Sequence, residues 1–251
     1  MRDSPLFDAH LADIRAAFGL LTRLPIGDTA PRGAPAAWAY PLVGLAIGLI
    51  AGIAGLVAQW FGLPAALAAL IALSAQIILT GAMHEDGLAD TVDGLWGGWT
   101  RARRLEIMKD SQIGTYGTLA LMLSVAARWA ALWWLLEQGG MGALAALIAA
   151  GALSRTVMPV LMRALPNARS AGLSQGVGRP DWRIAWAAAG IAGVIAILCT
   201  GWSGVGAMIC ALLAAITIGW VARRKIGGQT GDILGAAQQI TEIAVLLSII
   251  A

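Results

Sequence analysis

Pro41-Leu42-Val43-Gly44-Leu45-Ala46-Ile47-Gly48-Leu49-Ile50-Ala51-Gly52-Ile53-Ala54-Gly55-Leu56-Val57-Ala58-Gln59-Trp60 carries no charged side chain and a single amide, Gln59. A helix needs about 20 mostly apolar residues to cross the hydrocarbon core of a bilayer, so this stretch reads as a transmembrane span. Gly44, Gly48, Gly52 and Gly55 recur about once per turn, and small residues at that spacing let spanning helices approach closely. That stripe is a packing feature rather than a site. Comparable runs at 63–83, 118–136, 141–162, 184–200, 204–222 and 233–251 bring the total to about seven spans. Gln238, Gln239 and Glu242 interrupt the first half of the last one.

Composition agrees. The chain has 251 residues, 59% hydrophobic and only 12% charged, with a mean hydropathy of +0.76. Soluble proteins carry about 25% charged residues, so lipid must cover much of this surface. No long polar stretch exists to build a second unit. The fold class is therefore all-α, a polytopic membrane helical bundle forming one domain over residues 1–251. Residues 1–35 form an N-terminal segment without the continuous apolar core of a signal peptide, since Asp3, Asp8, Asp13 and Arg15 interrupt it. Leu11, Ile14, Phe18 and Leu21 recur at helical spacing and predict an amphipathic helix, lying in the membrane interface or packed on the bundle. Cys199 and Cys210 fall inside apolar runs and read as small core residues.

Basic residues orient the spans. The connections around 60–62, 137–140 and 201–203 hold no Lys or Arg. The alternate connections hold Arg101, Arg103, Arg104 and Lys109, then Arg163, Arg169, Arg179 and Arg183, then Arg223, Arg224 and Lys225. The positive-inside rule places the N-terminus and the connections 84–117, 163–183 and 223–233 in the cytoplasm, and the C-terminus outside. On that reading the net charge of +3 reports topology, not affinity for nucleic acid. The polar chemistry also sits in those three connections, so the working face is cytoplasmic.

The strongest chemical signal is His84-Glu85-Asp86-Gly87-Leu88-Ala89-Asp90-Thr91-Val92-Asp93-Gly94. Asp86, Asp90 and Asp93 stand at i, i+4 and i+7, on one face of a helix with 3.6 residues per turn. Three such carboxylates repel one another unless a cation joins them. Hard oxygen donors select Mg²⁺, Mn²⁺ or Ca²⁺, so these three are the candidate metal ligands. Glu85 lies about 100° off that face, as a flanking ligand, a supporting group or a solvated charge. The plainer alternative is carboxylates that are merely solvated or paired with Arg.

The same connection continues through Arg101-Ala102-Arg103-Arg104 to Lys109-Asp110-Ser111-Gln112-Ile113-Gly114-Thr115-Tyr116-Gly117. Cations beside a metal site suit a phosphate-bearing substrate, because they complement the charge a diphosphate develops as it breaks. For Arg101 to Arg104 a basic patch facing anionic lipid serves equally well. Backbone N–H groups near Ser111 and Gly114 offer anion contacts. Gly227-Gly228-Gln229-Thr230-Gly231-Asp232 opens the last span, either as a flexible turn with Asp232 as helix cap or as a phosphate cradle with a further ligand at its edge. Residues 163–183 read as a long loop able to cover a substrate. Arg128 and Arg155, inside or at the edge of spans, face a polar cavity or snorkel to the interface. His10 and His84 read as structural.

Together these residues describe a membrane enzyme whose metal–carboxylate site and basic loops transfer a substituted phosphoryl group to an alcohol. The runs 85–94, 107–117 and 227–236, with Leu21-Thr22-Arg23-Leu24-Pro25 and Pro41-Leu42-Val43-Gly44, resemble the cobalamin synthase family, the adenosylcobinamide-GDP ribazoletransferases. The resemblance spans essentially the whole chain, in the family's motif order. It implies that adenosylcobinamide-GDP and α-ribazole, or its 5′-phosphate, are joined to give adenosylcobalamin, or its phosphate, with release of GMP and a requirement for Mg²⁺. It also implies a multi-pass protein of the bacterial inner (cytoplasmic) membrane, partnered by its two substrates and lipid and not by nucleic acid. Homo-oligomerisation is left open. Residue by residue, Asp86, Asp90 and Asp93 become the metal ligands. Glu85, Asp86, Asp90, Lys109 and Asp110 become the catalytic set. Arg104, Ser111, Gly114, Gly228, Gly231 and Asp232 become substrate contacts. A corrinoid substrate further suggests a wide cytoplasmic cavity.

Two rivals differ in a readable way. CDP-alcohol phosphotransferases want Arg after the alanine of their acidic motif, whereas Asp90 follows Ala89 here. A cation-coupled transporter places its charges near the bilayer midplane on broken helices, whereas these cluster at one face.

Overall fold

The structure, a computed structural model, describes residues 5–27 and 30–251, so residues 1–4 and 28–29 of the N-terminal segment lie outside it. Among the described residues the regular structure is helical, with one isolated parallel bridge between Asn167 and Gln229. The order is α1 (Pro5–Leu21), a 3₁₀ turn (Ala34–Ala39) running into α2 (Tyr40–Trp60), α3 (Ala65–Thr80), α4 (Met83–Gly97), α5 (Arg101–Ile107) and α6 (Thr115–Gln138). Then follow α7 (Gly140–Ala164), α8 (Leu173–Val177), α9 (Trp182–Thr200), α10 (Ser203–Ile226) and α11 (Gly231–Ile250). Six helical segments are individually long and apolar enough to cross a membrane, and α3 with α4 makes up to a seventh.

Burial is inverted relative to a soluble protein. On α6, Leu119, Met122 and Leu123 face outward while Ser124 and Arg128 are buried. On α11 the residues that broke the apolar pattern, Gln238, Gln239 and Glu242, are all buried. Lipid is as apolar as leucine, so nothing drives leucine inward, and polar groups gather where they can pair. Trp60 and Trp202 project outward at helix ends, as amphipathic rings do at the headgroup level.

The central helix is α7, packed on α2, α9, α10 and α11. The glycine stripe of α2 makes its closest approach there. A Cβ on Gly44 would collide with the Gly151 carbonyl, and one on Gly48 with the Leu147 carbonyl. Helix α1 docks on the bundle through Asp13, which accepts hydrogen bonds from Trp38 Nε1 (3.0 Å) and from Arg32. That geometry shows the amphipathic helix packed on the rest of the bundle.

The second span departs from its expected course. Instead of running through 63–83, α3 stops at Thr80, and α4 leaves at 86° to it. Gly81 (φ 64°) and Ala82 (φ 57°) are both left-handed and end the helix. A glycine adopts that conformation freely; for alanine it costs roughly 1–2 kcal/mol. The acidic helix therefore starts from a break inside the bundle rather than continuing the span.

Gly44→Leu should destabilise the protein by about 1–3 kcal/mol or more through overpacking, read as a lower melting temperature in detergent. Gly206→Leu is the control, because no atom lies within 4 Å of a Cβ built there.

Candidate active site

Helix α4 emerges from the break with Asp86 exposed, Asp90 half-buried and Asp93 buried. Gly87 lies flat on the start of α11, and a Cβ there would stand 3.0 Å from the Asp232 carbonyl oxygen. This approach brings the α4 carboxylates beside the α11 N-terminus, so that Asp90 lies in the combined field of Asp86, Asp93, Asp232 and Arg169. Asp232 accepts a hydrogen bond from Thr230 Oγ1 (3.1 Å) and an ion-paired one from Arg169 Nη1 (3.0 Å). The cap of α11 is Thr230, whose hydroxyl accepts the Ile233 N–H (3.3 Å), which leaves the Asp232 carboxylate available for the site.

A cavity of about 210 Å³ opens at this junction, with Asp86, Arg169, Thr230 and Asp232 on its polar wall and His84 among the residues behind it. Its roof is the loop after α7. Gln229, fully buried, donates its backbone N–H to Pro166 O (2.9 Å), accepts the Ala168 N–H (2.8 Å) and takes the Ser174 hydroxyl on Oε1 (2.6 Å). Its amide nitrogen also donates to Asn167. At this junction, among the described residues, the space is smaller than the wide cavity expected for a corrinoid and fits a diphosphate and its neighbours rather than a macrocycle.

The predicted residues divide into groups. Asp86, Asp90, Asp232 and Gly231 come together; Gly231 lines the cavity and has open space where a Cβ would be. Asp93 does not face them. Both its oxygens accept backbone N–H groups at the start of α6, from Gly114 (2.7 Å) and Gly117 (2.8 Å). Gly114 is accordingly a glycine because a Cβ would press on the Asp93 carboxylate. Gly228 is one because a Cβ would strike the Pro166 carbonyl, so it serves loop-to-loop contact rather than a phosphate cradle.

Glu85 points the other way, into the bundle, where it accepts hydrogen bonds from Arg128 Nη2 (3.0 Å) and Gln239 Nε2 (3.1 Å). It is a buried ion-pair partner, not a group at the cavity. Arg104 Nη1 donates to Lys225 O (3.1 Å), and Arg101 donates to Ile226 O (2.7 Å) and Ala168 O (3.1 Å). The basic run thus satisfies the last carbonyls of α10. Lys109, Asp110 and Ser111 lie exposed on the turn between α5 and α6 and do not line the cavity.

Asn167, Arg169, Gln229 and Thr230 complete the site, and spacing alone did not single them out. The signal available was the polar, glycine-rich character of their two connections. Among the described residues no three Asp, Glu, His or Cys groups converge into a ready cage for a metal. Asp86 and Asp90, one helical turn apart, are hard oxygen donors, and Asp232 adds its charge from across the junction. Magnesium typically takes one or two carboxylates and completes its shell with water and substrate phosphates.

The model of the cobalamin-5-phosphate synthase family matches residues 13–250. The chain belongs to that family. Similar relatives include adenosylcobinamide-GDP ribazoletransferases of Mesorhizobium japonicum, 46% identical over 94% of this chain and 92% of the relative, and of Bradyrhizobium diazoefficiens, 43% identical over the same shares. The Brucella ovis enzyme of that name is 40% identical over 96% of both chains. No solved structure matches. Family membership covers all the elements that build the α4–α11 junction.

Asp93→Ala should cost about 0.5–2 kcal/mol, the usual loss for an N-terminal helix cap. Faster hydrogen exchange confined to the first turn of α6 is the measurement that checks it.

Proposed function

We propose that this protein is a magnesium-dependent adenosylcobinamide-GDP ribazoletransferase, working at the cytoplasmic face of the bacterial inner membrane. The observation that carries the reading is the meeting of Asp86 with Asp232, from helices far apart in sequence, around Arg169 at one cavity, with Asp90 in their field. Acidic oxygens beside a guanidinium suit a diphosphate, which needs both charge neutralisation and directed hydrogen bonds. The names of the family relatives supply the substrates.

In this reaction a ribose hydroxyl of α-ribazole, or of its 5′-phosphate, attacks the phosphorus joined to the corrinoid. One P–O bond forms, the diphosphate P–O bond breaks, and GMP leaves with the bonding electrons. Arg169 would exchange part of its ion pair with Asp232 for the donor's phosphate oxygens. The N-terminus of α11, with Gly231 unobstructed, adds backbone N–H groups and a favourable dipole for the same anion. A carboxylate of the cluster takes the proton of that hydroxyl. Asp86, Asp90 and Asp232 would hold magnesium, which when bound supplies neutralisation of the leaving phosphate. The cavity takes the diphosphate, with the bulk of the corrinoid outside it.

The transporter reading gains one point. The broken α3–α4 pair and the buried charges inside the bundle withdraw the objection that all charge lies at one face. Against it, Glu85 and Glu242 each face Arg128, at 3.0 and 3.8 Å, so their charge is balanced without a coupling cation.

Purified protein in nanodiscs should release GMP from adenosylcobinamide-GDP and α-ribazole only with Mg²⁺. Asp86→Asn and Asp90→Asn should each lower kcat by about 100-fold or more, the scale of losing one preorganised electrostatic contact. Folded wild-type protein that releases no GMP with Mg²⁺ and both acceptors present would overturn the assigned substrates. Full activity in both variants would overturn the assigned site.

A further inference from the structure

The α3–α4 break is held by a buried charge cluster that the transfer chemistry does not use. Arg128 lies roughly 20 Å along α6 at 1.5 Å per residue, and it is 1% exposed. Its Nη2 donates to Glu85 (3.0 Å), and its Nη1 lies 3.8 Å from Glu242. Arg155 on α7 is 2% exposed and sits in the field of Glu242 and Glu85. Gln239 binds Glu85 (3.1 Å) and is itself held by Ser124 on α6 (3.1 Å) and Gln238 (2.9 Å). Gln238 reaches Ser154 on α7 (3.0 Å). Two arginines thus balance two glutamates across α4, α6, α7 and α11.

The position of Glu85 gives the cluster its meaning. It follows the left-handed Ala82 by three residues and immediately precedes Asp86. A strained alanine persists only where its surroundings over-determine it. Here they do so from opposite sides. The Gly87–Gly235 contact seats α4 on α11, with backbone atoms 3.0–3.3 Å from where a Cβ would be, and Asp93 ties the far part of α4 to the start of α6. At the end nearest the break the Glu85 ion pair opposes rotation, because turning α4 there would drag a carboxylate out of its partners inside the bundle. With Glu85 fixed inward, Asp86 and Asp90 are fixed outward toward Asp232.

We propose that Arg128 is a positioning residue: through its ion pair with Glu85 it sets the rotation of α4 that presents Asp86 and Asp90 to Asp232. The proposal rests on the reading of those carboxylates as the reaction site.

Removing one partner of a buried pair strands a charge, whereas replacing both by neutral groups of similar volume is often tolerated. The test therefore uses the double variant Glu85→Gln/Arg128→Met beside each single, with the full-length protein in nanodiscs. Both singles should melt earlier than wild type, and the double should recover most of that loss. A purely structural pair would then recover activity too. A positioning pair would not: kcat should stay about 100-fold down, the scale of a misplacement of about 1 Å, while KM for adenosylcobinamide-GDP changes little. Mn²⁺ binding, followed by electron paramagnetic resonance without substrates, should weaken at least about tenfold, about 1.4 kcal/mol. Hydrogen exchange over residues 83–90 should rise. A double variant with wild-type kcat, Mn²⁺ affinity and exchange overturns the proposal. Should wild type prove inactive on these substrates, the reaction fails while the Mn²⁺ and exchange comparisons still decide the positioning.

Discussion

Charge inside a lipid-covered bundle must find opposite charge, and that constraint organises this molecule. An unpaired arginine or glutamate at such depth costs several kcal/mol. Arg128, Arg155, Glu85 and Glu242 can therefore be buried only as a balanced group. Because Glu85 belongs to the helix that starts at the break, the requirement for pairing reaches the site: α4 must enter the bundle with one acidic residue inward and the next ones outward. On the proposed function, the same length of chain performs two tasks, anchoring through Glu85 and chemistry through Asp86 and Asp90.

The second determinant is close backbone approach. Gly87 on α4 against Asp232 and Gly235 on α11, and Gly228 against Pro166, bring three connections together that lie far apart in sequence. Gln229 secures the join by bonding both the backbone and the side chains of the 166–174 loop. The outcome is a small cavity with a polar wall from two helix starts and one loop and an apolar remainder that α1, α2 and α7 help to build. Such a site suits a substrate held at its diphosphate, with most of its bulk beyond the protein.

Much of the fold was legible because lipid imposes so plain a pattern: long apolar runs, basic loops on alternate sides, glycine at turn spacing. The break was not, since residues 63–83 are apolar enough to pass as a continuous span and only Gly81 hinted at a stop. At the site, helical periodicity grouped Asp86 with Asp90, and each lies in the field of Asp232 or beside it. It misjudged Asp93, whose direction is set by the α6 N-terminus above it, and Glu85, whose partners sit on other helices. The glycine runs invited a phosphate cradle where two of the glycines instead serve contact between protein segments. Arg169 stood in a loop without periodicity, and only tertiary contact with Asp232 marks it out. Pairing across the bundle is what a linear pattern leaves invisible.

Crystals of the protein with adenosylcobinamide-GDP and Mn²⁺, measured at the manganese absorption edge, test the central claim most directly. An anomalous peak among Asp86, Asp90 and Asp232, with the donor diphosphate beside Arg169, is the expected result. A manganese peak at the Lys109–Asp110 turn, with the α4–α11 junction bare of metal and diphosphate, would contradict it.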